Sequence, residues 1–336
     1  MKKLALLLCL MLVLAGCSTA PSKYTSQIFA MDTVMDLTVY GDHQASLQDA
    51  SALVFSLEEK LSATRADSEI GLLNENKQAD LSEDTGALLE KALEFCEKTE
   101  GNLDISVYPL VKAWGFPSGN YQIPDQQTLQ SLSALVSWEN VRYSPETGSA
   151  TLEKDMEIDL GSVAKGWTGD QILSLFRDQG VTSALLNLGG NVQALGAKPD
   201  GSPFQIGVQD PEGEGYLGVL RIRDEAVITS GGYQRYFKGE DGEIYWHIID
   251  PATGRPARTG LLSATAIGPE GAYCDALSTA LFIMGPKKAQ DFWRQQGDFQ
   301  MILITDDHQV LITPDLENRF SLTNDQDYTR KVISHD

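Results

Sequence analysis

Residues 158–191, IDLGSVAKGWTGDQILSLFRDQGVTSALLNLGGN, hold the pattern that decides the fold. Residues 158–161 indicate the end of a strand, and they lead into a segment over 163–179 that predicts a helix. Residues 183–188 are an apolar run typical of a buried strand, and the two glycines at 189 and 190 end it because glycine permits a tight turn. This part of the chain therefore predicts a strand, a helix and a second strand in succession.

Outward from this segment, helices and strands follow one another without a repeat or a low-complexity tract. Apolar residues recur at helical spacing over 46–60 and 85–99, and we expect further helices over 273–284 and 287–296. We expect strands over 33–40, 204–208, 217–223, 226–229, 245–249 and 263–267, and a hairpin-like pair over 301–305 and 309–313. The order is neither strict βαβ alternation nor all-β. It predicts an α+β fold, with a largely antiparallel sheet and packed helices, in a single domain over 28–330.

The N-terminal residues indicate export. A short positive start, Lys2-Lys3, precedes an apolar run over 4–14 that is too short to span a bilayer as a helix. The run ends in LAGC at 14–17, the pattern of a bacterial lipobox, in which the cysteine thiol receives lipid and the chain is cut before it. We therefore expect a lipoprotein signal peptide over 1–16, lipidated Cys17 with a tether over 17–27, and a body anchored at the extracytoplasmic face of the cell membrane. A signal peptide with an incidental cysteine is the alternative.

The charge of the chain restricts its ligands. With 47 acidic and 26 basic residues among 336, the formal net charge is −21. Such an excess repels phosphate backbones and anionic headgroups, so the composition argues against nucleic-acid binding. A ligand that carries phosphate would need a metal ion or local backbone donors to be accepted.

Two cysteines belong to the body of the chain, Cys96 and Cys274. They lie far apart in sequence and lack the spacing of a metal site. They could form one disulfide in an oxidising compartment, or remain two buried free thiols.

The segment DLGSVAKG at 159–166 places a carboxylate at a strand end, followed by a turn of small residues and a helix start. Lys165 lies in the first turn of that helix, where a positive charge is unfavourable with respect to the helix dipole. This position indicates an anionic partner. An ordinary capped helix is the alternative, and the order of residues excludes a P-loop.

Asp275 and Thr279 lie four residues apart, so on a helix their side chains project from one face. A carboxylate and a hydroxyl oxygen form a donor set for a hard cation, which suits Mg²⁺ rather than zinc. The alternative is that Asp275 only stabilises the start of its helix through the dipole.

His247 ends an apolar strand and stands beside an Asp-Pro turn that Thr-Gly closes, in the segment HIIDPATG at 247–254. It is one of four histidines in the chain. A structural histidine with satisfied hydrogen bonds is the alternative to a functional one.

Together these segments resemble the ApbE family, the FAD:protein FMN transferases, many of which are lipoproteins. The similarity spans nearly the whole chain after the export signal, and the order and spacing of the motifs are more specific than any single one. The motifs are AMDTVM (30–35), LSATRADSEI (61–70), LDIS (103–106), PLV (109–111), WGF (114–116), DLGSVAKG (159–166), NLGGN (187–191), HIIDPATG (247–254) and DALSTALF (275–282). The resemblance implies an ApbE-type, T-fold-like α+β architecture.

The resemblance also implies an activity and a site. The enzyme would split the pyrophosphate of FAD, place FMN on a Ser or Thr hydroxyl of an acceptor protein and release AMP. Mg²⁺ would be held by Asp275, Thr279 and the backbone oxygen of Ser162. The residues in contact with FAD would be Met31, Asn102, Leu103, Asp104, Asp159, Lys165 and Ile248.

Two of these positions have expected catalytic roles. Lys165 would add a fixed positive charge beside the phosphates. His247 would take the proton of the acceptor hydroxyl, because the ordinary pKa of histidine lies near the working pH. Two positions depart from the family pattern: Thr64 stands where several relatives carry an aromatic ring, and Ser278 where some carry a further acidic ligand.

Two other functions are alternatives. An FAD pyrophosphatase would use the same site with water in place of the protein hydroxyl. A lipid-anchored flavin- or solute-binding protein would bind without catalysis, although the sequence shows no division into two lobes. For a transferase, the family suggests redox-pump subunits and other extracytoplasmic flavin-carrying domains as acceptors.

Overall fold

The computed structural model describes residues 21–335. The expected signal peptide, Cys17 and the first part of the expected tether lie outside the described residues. Within 21–335, no helix is both long enough and apolar enough to cross a membrane.

A nine-stranded sheet forms the centre of the fold, with strand order β1-β2-β6-β7-β10-β15-β16-β17-β19. Neighbouring strands are antiparallel except β17 and β19, which are parallel. The strands of this sheet are β1 (Lys23–Ala30), β2 (Thr33–Tyr40), β6 (Ser183–Leu188), β7 (Asn191–Gly196), β10 (Ala226–Gly231), β15 (Leu261–Gly268), β16 (Gln300–Thr305), β17 (Gln309–Ile312) and β19 (Thr329–Val332).

Seven α-helices lie within the described residues. They are α1 (Ser46–Leu61), α2 (Glu69–Asn76), α3 (Glu83–Lys98), α4 (Tyr108–Ala113), α5 (Gln126–Ser133), α6 (Gly161–Asp178) and α7 (Gly271–Gln296). The smaller sheets contain β3 (Gln78–Asp80), β4 (Arg142–Ser144), β5 (Ser149–Thr151), β8 (Phe204–Gln209), β9 (Tyr216–Ile222), β11 (Tyr236–Lys238), β12 (Ile244–Trp246), β13 (Ile249–Asp250), β14 (Arg255–Pro256) and β18 (Phe320–Leu322).

The central strands of the large sheet are buried on both faces, as β16 shows. Met301 and Leu303 belong to the core shared with the helices, whereas Ile302 and Ile304 belong to the core shared with the three-stranded sheet β18-β9-β8. Alternate residues of a strand point to opposite faces, so a strand covered on both sides is apolar throughout. This mixed architecture confirms the predicted α+β class and the largely antiparallel sheet.

The bounds of several helices and strands agree closely with those predicted from the sequence. The strands over 33–40 and 183–188 have the predicted bounds, and the helix expected over 163–179 is α6, Gly161–Asp178. The two helices expected over 273–284 and 287–296 are the two halves of α7. Its backbone is non-helical at Gly285 (φ 75°), directly before Pro286.

Four expectations need correction. Residues 158–160, expected to end a strand, form no strand before α6, because the backbone N–H and carbonyl groups of Ile158 bond to the side chain of Asn74 and not to a neighbouring strand. The sheet begins at Lys23, inside the expected tether, because β1 pairs along its whole length with β2. The strand expected over 245–249 is interrupted, because His247 donates its backbone N–H to Arg235 while Ile248 accepts from Ala257. Cys96 and Cys274 are both free and buried, which excludes the disulfide between them.

Candidate active site

A cavity of about 640 Å³ collects the positions that the sequence predicted to be functional. All eleven of those within the described chain line it: Met31, Asn102, Leu103, Asp104, Asp159, Ser162, Lys165, His247, Ile248, Asp275 and Thr279. Pockets of several hundred Å³ with a few convergent polar groups are typical of small-molecule and cofactor sites. The fold therefore joins segments that lie more than 200 residues apart in sequence.

The cavity depends on a close crossing of α6 and α7 at two glycines. A Cβ atom on Gly166 would lie 2.2 Å from the carbonyl oxygen of Gly271, so only glycine allows this approach. The approach lets the Gly166 N–H donate to Oδ2 of Asp275 over 2.9 Å. Gln193 closes the junction by donating from Nε2 to the carbonyl oxygen of Gly166 over 2.8 Å.

Asp170 fixes the start of α7 from the neighbouring helix α6. Its two carboxylate oxygens accept from the backbone N–H groups of Gly271 (2.7 Å) and Ala272 (2.8 Å). These are helix-terminal donors that have no partner within their own helix. Burial raises the pKa of Asp170 to about 6, although the two N–H groups act in the opposite direction. The contact holds α7, and with it Asp275, in place against α6.

Asp275 and Thr279 lie one helical turn apart at the wall of the cavity. Asp275 is 5% exposed, and burial raises the pKa of its carboxyl group, against the opposing effects of Lys165, the Gly166 N–H and Asn191. Its carboxylate forms no ion pair within residues 21–335. Thr279 is half-buried, and its hydroxyl lies 3.3 Å from that of Ser230.

The donor set at this wall fits Mg²⁺. A buried carboxylate without a cationic partner has lost much of its hydration, so a cation is favoured beside it. Carboxylate, hydroxyl and carbonyl oxygens from Asp275, Thr279 and Ser162 are ligands that Mg²⁺ prefers. Ser278, which stands where some relatives have an acidic ligand, is fully buried and bonds to Ser230 (2.9 Å) and to the carbonyl oxygen of Asp275 (2.9 Å). Ser278 therefore stabilises this wall of the cavity from its buried side.

Asp159 and Lys165 lie on the same side of the cavity at the start of α6. Oδ1 of Asp159 accepts from the Gly161 N–H over 3.0 Å, so this residue also stabilises the helix start. Its side chain is half-buried, and burial raises its pKa against the opposing effects of the Gly161 N–H, Lys165 and Arg235. The Lys165 ammonium forms no ion pair or hydrogen bond in the part of the chain that the structure describes. It is available for an anion in the cavity.

His247 is held in one tautomer. Its Nδ1 lies 3.2 Å from the carbonyl oxygen of Arg235, an atom that can only accept, so Nδ1 carries the proton and Nε2 keeps its lone pair. Burial, with smaller contributions from the charges of Arg235 and Lys165, lowers the pKa of His247 to about 4 against the opposing effect of the bond to the Arg235 carbonyl oxygen. The expectation of a pKa near the working pH is therefore wrong. The neutral imidazole is nevertheless the form that can accept a proton.

The tip of the β1–β2 hairpin forms another wall. Met31 (φ 49°) and Asp32 (φ 59°) are its two turn residues, between the paired Ala30 and Thr33. Positive φ at both central residues is the type I′ geometry that matches strand twist in two-residue hairpins. Oε1 of Glu58 accepts from the Met31 N–H over 2.6 Å and fixes the tip to α1. Met31 thus lines the cavity through a rigid turn.

Residues 102–104 line the cavity, but their polar groups are largely occupied. The Asp104 carboxylate accepts from the Ser106 N–H (2.8 Å), the Ser106 hydroxyl (2.6 Å) and the Trp138 N–H (3.2 Å). Asn102 donates to the carbonyl oxygen of Thr99 over 2.8 Å. The Asp104 side chain therefore shapes the loop that carries its neighbours.

Glu58, Asn191 and Arg235 are among the polar residues of the cavity that the sequence-based prediction did not name as site residues. Asn191 is 4% exposed, and its side-chain amide acts on the Asp275 carboxyl group, whose pKa it lowers, although Nδ2 makes no hydrogen bond of ordinary geometry within residues 21–335. Arg235 donates from a guanidinium nitrogen to the carbonyl oxygen of Phe116 over 2.8 Å. Asn191 was within a motif that the sequence singled out. Glu58 and Arg235 had no local signal, because their place at the cavity comes from tertiary packing.

The fold and the site together define a class, an α+β protein with a polar cavity that offers oxygen ligands, a free lysine and a neutral histidine. The ApbE family model matches residues 31–303. The chain is 30% identical to the FAD:protein FMN transferase of Treponema pallidum, over 94% of both chains, and 30% identical to that of Klebsiella pneumoniae, over 89% of this chain and 94% of the relative. The crystal structure of the ApbE protein of Thermotoga maritima superposes with a TM-score of 0.80 at 28% identity, covering 85% of this chain and 95% of that one. The chain belongs to the ApbE family.

Proposed function

We propose that this member of the ApbE family transfers FMN from FAD to a Ser or Thr hydroxyl of an extracytoplasmic acceptor protein, with Mg²⁺, and releases AMP. One observation carries the proposal. A single cavity brings together the oxygen ligands of Asp275 and Thr279, an unpaired lysine and a histidine whose Nε2 is free to accept a proton. The relatives named above supply the substrate and the reaction class.

The reaction needs a base beside the acceptor hydroxyl. The hydroxyl oxygen attacks the phosphorus of the FMN half, the bond from that phosphorus to the bridging oxygen breaks, and AMP leaves with the bridging oxygen. The hydroxyl proton passes to Nε2 of His247, because Nδ1 already carries one. The lowered pKa of His247 keeps the imidazole neutral and ready at neutral pH.

The remaining groups stabilise charge on the phosphates. Lys165 offers a fixed positive charge that forms no ion pair within the described chain, and a preorganised charge of this kind lowers the barrier of such reactions. Asp275, Thr279 and the carbonyl oxygen of Ser162 would hold Mg²⁺, which supplies a Lewis acid for the phosphate oxygens when it is bound. Asp275 is 5% exposed, so little bulk water contacts its carboxylate.

The lipid anchor would limit the reach of the site. Five residues separate Cys17 from Lys23, where β1 begins, and the eight residues of β1 run to the turn at the cavity. At roughly 3.3 Å per residue, the cavity rim would lie within about 50 Å of the lipid surface. This distance favours acceptors that are themselves held at the membrane, such as redox-pump subunits.

The test incubates the full-length protein in detergent with FAD, Mg²⁺ and the extracytoplasmic flavin-carrying domain of a redox-pump subunit. Intact-mass analysis of the acceptor and chromatography of the nucleotides follow. We expect the acceptor to gain one FMN while AMP appears. Free FMN and AMP with no mass gain would instead support the pyrophosphatase, and unchanged FAD would support a flavin-binding protein.

A further inference from the structure

Arg235 is a cationic residue of the cavity that forms no ion pair with a carboxylate of the described residues. It is exposed toward the cavity, and its side chain donates one hydrogen bond, to the neutral carbonyl oxygen of Phe116 over 2.8 Å. Arg65 also lines the cavity but is paired with Asp67 through two nitrogens. Within residues 21–335 of this acidic chain, Arg235 forms no ion pair. Most of the five N–H donors of its guanidinium group remain available.

The main chain of the same residue holds the proposed base. The carbonyl oxygen of Arg235 accepts from the backbone N–H of His247 over 3.1 Å and from its Nδ1 over 3.2 Å. These two bonds fix the imidazole against the start of β11. Arg235 therefore carries both the guanidinium group and the carbonyl oxygen that orients His247, and this links the position of the guanidinium group to that of Nε2.

Arg235 and Lys165 act on the same two groups. Each lowers the pKa of both Asp159 and His247, so each lies within electrostatic reach of both. The two cations come from different parts of the chain, Lys165 from α6 and Arg235 from the start of the β11–β12 hairpin. The cavity thus presents two positive charges around one carboxylate and one imidazole.

We propose that Arg235 binds non-bridging oxygens of the FAD diphosphate through the N–H groups that Phe116 leaves free, and so places the phosphorus to be attacked beside Nε2 of His247. This inference rests on the proposed function. A planar guanidinium group binds two phosphate oxygens at once and fixes orientation, whereas a lysine ammonium acts as a point charge. Arg235 would orient the phosphate, and Lys165 would supply charge.

The test compares FAD and riboflavin, which lacks the diphosphate, as ligands of the full-length protein in detergent, by calorimetry with Mg²⁺ present. Arg235→Ala keeps the carbonyl oxygen that holds His247 and removes only the side chain. Arg255→Ala is the matched control, because Arg255 also donates one hydrogen bond to a neutral oxygen, Oε1 of Gln126 at 2.9 Å, and lies outside the cavity.

We expect Arg235→Ala to weaken FAD binding about ten- to a hundredfold, which is the usual effect of losing hydrogen bonds to a charged group. Riboflavin binding should change less than about twofold. Arg235→Lys should recover part of the FAD affinity, because it restores the positive charge without the planar guanidinium group that binds two oxygens at once. Arg255→Ala should bind both ligands as the wild type does.

Two results would overturn the inference: FAD binding by Arg235→Ala within about twofold of the Arg255→Ala control, or an equal loss of riboflavin affinity, which would indicate a change in cavity shape. A wild-type protein that binds FAD but transfers no FMN would overturn the proposed function and leave the Arg235 contact standing. A wild-type protein that does not bind FAD would overturn both.

Discussion

The backbone N–H of Gly166 donates to Oδ2 of Asp275 over 2.9 Å and joins α6 to α7 at the wall of the cavity. The bond exists because Gly166 has no side chain to separate the two helices. It also leaves a buried carboxylate facing a cavity in which no ion pair of the described chain neutralises it. The proposed metal site would therefore depend on this helix crossing.

Gly166→Ala should damage both stability and activity. The added Cβ would lie 2.2 Å from the carbonyl oxygen of Gly271, so the helices must separate. We expect a loss of about 1–3 kcal/mol in the free energy of unfolding and of most Mg²⁺-dependent AMP release. Ser174→Ala, at an exposed position of α6, is the control. Wild-type stability in Gly166→Ala, measured by urea denaturation, would contradict the tight crossing.

Asp275→Ala should abolish Mg²⁺-dependent AMP release, and Asp275→Asn should require far more Mg²⁺ for half-maximal rate. The shift should exceed the roughly 10- to 100-fold that the loss of an outer-shell partner costs, because the carboxylate itself would hold the ion. Asp291→Asn removes an exposed carboxylate of the same helix and should leave the Mg²⁺ titration unchanged. An unaltered titration in Asp275→Asn would show that the ion binds elsewhere.

His247→Ala should slow FMN transfer by about 10²- to 10⁴-fold, the range expected for a general base, while FAD binding remains. In the wild type the base must be unprotonated. Burial lowers the pKa of His247 to about 4. The value of kcat/KM, which reports the ionisation of the free enzyme, should therefore be constant near neutral pH and fall only as the pH approaches 4. A pH–rate profile that falls with a midpoint near 6.5 would indicate an exposed histidine and contradict this environment.

Asp170 should make stability depend on pH. Burial raises its pKa from 3.8 to about 6 in the folded state, so the folded state holds this proton more tightly than the unfolded chain does. Its contribution to the free energy of unfolding is therefore greatest below pH 3.8 and is lost as the pH rises through about 6. Subtracting the profile of Asp170→Asn, measured by urea denaturation at each pH, should isolate this fall. A flat difference between pH 4 and 7 would contradict it.

Asp170→Ala removes both acceptors of the first N–H groups of α7. Losing a cap of this kind typically costs about 0.5–2 kcal/mol. We expect a loss in that range, and a smaller one for the exposed Asp178→Ala at the other end of α6. Equal losses in the two variants would show that Asp170 does not hold α7.

The sequence predicted those parts of the fold that depend on local pattern. The bounds of β2 and β6 followed from alternation and from apolar runs next to turn residues. The edge strand β1 was missed, because its polar face is exposed and its pairing with β2 provides most of its order. The sequence predicted two helices where the structure has the single helix α7 with Pro286 inside it. The backbone of α7 is nevertheless non-helical at Gly285, between the two predicted segments.

The candidate site could be predicted where residues lie in motifs, as for Asp275, Thr279 and Lys165. It could not be predicted where tertiary packing brings in a residue from an unremarkable segment, as for Glu58 and Arg235. The protonation of His247 was also beyond reach, because its pKa depends on burial that only the folded chain creates.

The most direct test of the account is the ratio of AMP released to FMN attached to the acceptor, measured in one reaction with FAD, Mg²⁺ and the full-length protein. Transfer from FAD predicts one AMP for each flavin attached, with little free FMN, and His247→Ala should lower both products together. AMP in large excess over attached flavin, matched by free FMN, would contradict transfer as the main reaction and identify hydrolysis instead.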